Sequence, residues 1–162
     1  LKARICWLIA VPMLISAAPP GRTPLGIFSD WGAFRDANPP RCYAIATPKR
    51  RGDGAWRSFA AVGIWPRQRI SGQVHFRLRL ARAPNSPVRL IFADRDFALT
   101  AAAADAWAFD ARQDAAIVAA MRSSTSMRIA WVSKDGRDRS DGYLLKGVAT
   151  AIDAAALGCA RR

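Results

Sequence analysis

The sequence predicts a mainly β protein, an antiparallel sandwich or barrel carrying one short internal helix and a C-terminal helix. Three observations predict it. Short apolar or alternating runs recur between turn signals through residues 25–100. One run, residues 114–123, has helical rather than strand periodicity, and an Ala-rich amphipathic run closes the chain at 147–160. With 162 residues, 51% hydrophobic and 23% charged, the chain is sized for one domain with its own core, and this composition argues against disorder.

The elements follow in order. Residues 19–24 (PPGRTP) form a proline-rich extended leader. Residues 25–34 carry the first aromatic strand signal, which Asn38-Pro39-Pro40 breaks. Residues 42–47 resume as a strand, and residues 48–54 (PKRRGDG) form a charged loop tip. Residues 58–65 make a short apolar strand ended by Pro66. The clearest strand is 73–80, where Val74, Phe76, Leu78 and Leu80 alternate with His75, Arg77 and Arg79. Strands follow at 88–92 and 97–100, with the connection Asp94-Arg95-Asp96 between them. Asp110 and Asp114 flank the start of the internal helix, Asp114 as an N-cap or first-turn acid. Residues 127–133 form a strand, 134–142 (KDGRDRSDG) a polar hairpin loop, and 143–145 the start of the return strand. The closing helix places Val148, Ile152, Ala155 and Cys159 on one stripe.

Residues 1–18 read as an export signal. Lys2 and Arg4 form the positive region, residues 5–15 the apolar stretch, and Ser16, Ala17 and Ala18 the small residues before a cut. The stretch is shorter than the ~20 residues that span a bilayer. Export implies a periplasmic or secreted product, with residues 25–162 as a single domain. Removing residues 1–18 also removes Cys6, which leaves Cys42 and Cys159. Two thiols in an oxidising compartment most simply pair. Buried free thiols are the alternative, and two Cys with one distant His make no recognisable zinc set.

The ordered residues Phe28-Ser29-Asp30-Trp31, Arg41-Cys42-Tyr43, Asp94 with Phe97 and Leu99, Ala115-Ala116-Ile117, the strand 127–131 and Leu145-Lys146-Gly147 followed by Ala149 and Ala151 resemble the invasion-associated locus B family of exported bacterial proteins. The resemblance covers nearly the whole of the chain after residue 18. It implies an immunoglobulin-like β-sandwich in the periplasm or outer envelope, and it carries no catalytic residues over to this chain. The family's Cys after the first Trp is replaced here by Phe34 and Arg35, and its mid-chain cysteine pair is absent around residues 101–110.

Candidate chemistry is sparse. The one histidine, His75, sits with Arg77 and Arg79 on the polar side of its strand, with no G-x-S-x-G motif to partner it, and reads as an exposed strand residue. Asp135, Asp138 and Asp141 miss the spacing of a calcium loop, and Arg137 and Arg139 lie among them, so they read as turn residues. Arg51-Gly52-Asp53 is an integrin-type tripeptide that this composition produces readily by chance. No metal or cofactor site is expected.

Charge is the strongest functional lead. The chain holds 25 Lys plus Arg against 12 acids, all of them Asp, for a net +13. Lys49, Arg50 and Arg51, with Arg77 and Arg79, are the candidate contacts for an anionic partner. Export makes nucleic acid the less accessible polyanion. The expected partner is an envelope or extracellular protein or an anionic glycolipid, against the alternatives of a solvated Arg-rich surface and of a periplasmic enzyme of unknown reaction.

Overall fold

The computed structural model describes residues 21–49 and 57–160. The export segment, Arg50, Arg51 and the Arg51-Gly52-Asp53 tripeptide lie outside them. Among the described residues, ten strands and two α-helices run in the order β1 (Arg22–Phe28), β2 (Trp31–Asp36), β3 (Arg41–Ala46), β4 (Phe59–Trp65), β5 (Ile70–Arg77), β6 (Val88–Ile91), β7 (Asp96–Ala102), β8 (Asp105–Trp107), α1 (Ala111–Ser123), β9 (Ser126–Val132), β10 (Asp138–Leu144) and α2 (Val148–Ala160). The chain is mainly β, with a short internal helix and a C-terminal helix, as the sequence predicts.

All strand pairs are antiparallel, and the strands neighbour one another in the order β1-β2-β3-β4-β5-β8-β7-β6-β9-β10. The first five form a meander of successive neighbours; the rest double back. The sheet folds around one core, in which Trp31, Val62 and Phe76 from the first strands meet Leu90, Ile129 and Tyr143 from the last. Helix α2 packs on β1, β2 and β3, and α1 packs on β5. One face of the meander is therefore filled by helix, and its opposite face is turned outward.

Local chemistry explains the boundaries. The aromatic run 25–34 is two strands rather than one, because Ser29 adopts a left-handed φ of 55° and closes a hairpin between Phe28 and Trp31. Residues 22–24 of the expected leader pair with Phe34, Arg35 and Asp36 as the start of β1. Pro66 cannot continue a ladder and opens a 3-10 turn after β4. Strand β8, unforeseen in an Ala-rich run of low β propensity, forms because β5 and β7 pair with it from both sides.

The polar hairpin loop is shorter than expected. β10 begins at Asp138, so Asp141 pairs with Ile129 across the sheet and is 4% exposed. At the last connection, Gly147 has φ 85°, and a Cβ there would overlap the Phe28 carbonyl. Only glycine allows α2 to start that close to the β1–β2 turn.

Cys159 lies at the end of α2 and Cys42 on the helix-facing side of β3. They form a disulfide with a Cα–Cα distance of 5.8 Å across 117 residues of sequence. The expected pairing is the one present.

Candidate functional site

The outward face of the meander carries a trough built by strand register. One cross-strand row reads Gly32, Ile45, Ala61, His75 and Trp107. The neighbouring row reads Phe34, Tyr43, Gly63 and Gln73. Small side chains at Ala61 and Gly63 in the central strand leave a low floor, and rings stand on either side of it. Phe34, Tyr43 and Trp65 rise at one end; Phe59, His75 and Trp107 rise at the other. Together with Arg22 and Arg41 they enclose about 470 Å³, within the range of small-ligand sites.

Charges are fixed at both ends. The Asp36 carboxylate accepts from Arg22 Nε at 3.2 Å and from Arg41 Nε at 2.9 Å. The Tyr43 hydroxyl donates to the same group at 3.3 Å. Burial pushes the Asp36 carboxyl up, but the hydrogen bonds and charges of Arg41 and Arg22 outweigh it and hold its pKa below the usual value. Burial, and then the Asp36 charge, raise the pKa of the Tyr43 phenol. The Arg41 guanidinium lies over the rings of Tyr43 and Trp65, 5.2 Å from each centroid, and Arg22 lies over Phe34 and Tyr43 at 5.9 and 5.8 Å. These cation–π contacts hold two guanidinium groups against the wall, with further N–H donors beyond those bound to Asp36.

At the opposite end Asp105 accepts from Arg77 Nε at 2.6 Å and lies 2.8 Å from His75 Nε2. The His75 ring stacks parallel to Trp107 with centroids 5.5 Å apart and meets Phe59 edge-on at 5.1 Å. His75 is thus a half-buried, oriented side chain and not a freely exposed strand residue.

The arginines expected to act together are separated. Arg77 stands beside the trough. Arg79 lies past the end of β5, where its side chain is 16% exposed and its Nε is 3.0 Å from Asp141 Oδ1. It is engaged in an internal ion pair and is largely covered. Lys49 is exposed, three residues beyond the end of β3. Asp135 of the turn accepts from Ser133, Arg137 and Arg139, which lower its pKa to about 2, with the Ser133 hydroxyl the largest influence. That is the bonding of a closed turn.

Sequence reading missed the aromatic wall. Residues 42–47 and 58–65 are apolar at nearly every position, so both faces of β3 and β4 carry apolar side chains. In an antiparallel sheet, which commonly keeps one face in water, this is a signal that the second face has something to cover it or bind it. Arg22 was hidden within the expected leader.

No family model matches the sequence, and no curated protein matches it. Among solved structures, the crystal structure of invasion associated protein b from Bartonella henselae has a similar fold: TM-score 0.56, 14% sequence identity, with 82% of this chain and 96% of that chain covered. At that identity the likeness concerns the fold.

Proposed function

We propose that this chain is an exported envelope protein, a divergent relative of the invasion-associated locus B family, which binds an anionic envelope component or a partner protein without catalysing a reaction. The observation that carries this reading is the outward trough, where aromatic rings and the guanidinium groups of Arg22 and Arg41 surround one open depression. A concave, ring-lined surface with a few fixed polar groups is suited to recognition. The Cys42–Cys159 disulfide suits a periplasmic or secreted location, and the likeness to invasion associated protein b supports the family.

Fractionation of the producing bacterium tests the location: the protein belongs in the periplasm or medium, without free thiols after alkylation. Envelope vesicles from the same cells test the binding. They retain the wild type at low salt and release it at high salt, and Arg22→Gln with Arg41→Gln weakens retention several-fold. Retention unaffected by salt and by both substitutions would exclude this surface.

The His75–Asp105 pair at 2.8 Å favours a second reading, a periplasmic enzyme with His75 as its base. The carboxylate it would rely on is shared with Arg77, and none of the described residues lining the trough is a Ser, Thr or Cys. Mass spectrometry of bound material before and after incubation decides between the two. Cleavage by the wild type but not by His75→Gln establishes the enzyme.

A further inference from the structure

We infer that the trough binds a short acidic oligosaccharide, a chain of pyranose rings bearing carboxylates. This rests on the reading of the outer face as a binding surface and names its ligand class. Three features point to it. The row from Phe34 through Tyr43 and Gly63 to Gln73 crosses β2, β3, β4 and β5 in register. That is three inter-strand steps, about 14 Å, a length suited to a few linked rings rather than a single small molecule. Ring planes stand at both ends: His75 parallel to Trp107 at one, and Tyr43 and Trp65, each with the Arg41 guanidinium over one face, at the other. A pyranose ring has one face of aliphatic C–H groups that stacks on such planes, while its equatorial hydroxyls point sideways to donors and acceptors. Gln73 and Arg41 line the same trough and supply an amide and a guanidinium there.

The charge selects the acid. Arg22 and Arg41 already grip one planar carboxylate, that of Asp36, and each retains unused guanidinium N–H groups. A sugar carboxylate would meet the same donors, prepositioned by the rings beneath them. A β-strand peptide is the less suited occupant. The trough runs across β2 to β5, whose backbone groups are engaged with neighbouring strands, so strand addition is unavailable within it.

The test uses the purified exported protein, with trigalacturonic acid and its neutral counterpart galactotriose as probes. Binding is followed by calorimetry and by tryptophan fluorescence. Trigalacturonic acid should bind at least roughly tenfold more tightly than galactotriose. Trp107→Ala should weaken it roughly tenfold, the scale of one lost ring stack. Ala61→Leu fills the floor while leaving every ring and charge in place, and should abolish binding with the thermal transition retained. Arg89→Ala, on an exposed strand position elsewhere, should bind as the wild type does.

Equal affinity for the two trisaccharides would overturn the charge selection. Undiminished binding by Ala61→Leu would place the site elsewhere and overturn the inference. If vesicles retain the wild type but neither trisaccharide binds, the saccharide inference fails and the envelope reading stands. If vesicles also fail to retain it, both fall.

Discussion

At the scale of single residues, Asp36 and Asp141 show how the same side chain serves opposite ends. Asp36, 13% exposed, is held ionised by two arginines, and its folded pKa lies below its unfolded one. Its contribution is therefore present above the unfolded pKa, near 3.8, and is lost as pH falls through the folded value. Asp36→Asn should lower stability by about 1–2 kcal/mol at pH 7. Urea melts of variant and wild type should converge at acid pH; a difference independent of pH would contradict the ionic role. Asp141 is buried deeply enough that desolvation raises its pKa against the pull of Arg79 and Ser58. Among the described residues, its Oδ2 and the Tyr143 hydroxyl beside it have no hydrogen-bond partner. Arg79→Met would strand that carboxylate and should cost about 3 kcal/mol or more, while Arg79→Met with Asp141→Leu should recover most of the loss. Chemical denaturation of the two variants measures the difference.

At the scale of elements, α1 is fixed by two aspartates with separate tasks. Asp110 is the N-cap: its carboxylate accepts from Gln113 N at 2.7 Å. Asp114, one turn in, accepts from Val74 N at 2.8 Å. Strand β8 ends at Trp107, whose partner is His75, so the next β5 residue, Val74, pairs with β4 but has no strand on its β8 side. The helix supplies the missing acceptor and thereby locks α1 to the sheet. Asp110→Ala should cost about 1 kcal/mol. Asp114→Ala should cost about 1–3 kcal/mol because it orphans an amide, and should also accelerate hydrogen exchange at Val74. Exchange at Val74 as slow as in the wild type would show that another group accepts from it.

At the scale of the whole molecule, the disulfide joins the last helix to the third strand and closes most of the chain into one loop. Helix α2 is rich in alanine and buries Val148, Ala151, Ile152 and Ala155, a narrow stripe. A covalent anchor near its end limits fraying. Cys42→Ser with Cys159→Ser should lower stability by up to about 5 kcal/mol in the loop-entropy account. Hydrogen exchange should rise first in α2 and the adjoining β1–β3 region. Protection of α2 unchanged in the double variant would show that packing alone holds it.

Much of this was present in the sequence because it depends on neighbours along the chain. The alternation of 73–77, the proline stop at Pro66, the periodicity of both helices and the pairing of Cys42 with Cys159 are local or compositional signals. The tertiary structure decided what depends on register and on strand order. Whether Arg77 and Arg79 share a surface depends on where β5 ends. Whether Asp141 is a loop acid or a buried one depends on which residue starts β10. The trough needs side chains from six strands, and β8 reaches His75 only through a crossover. Cross-strand neighbours are set by hydrogen-bond pairing over long sequence separations, and no single segment records them.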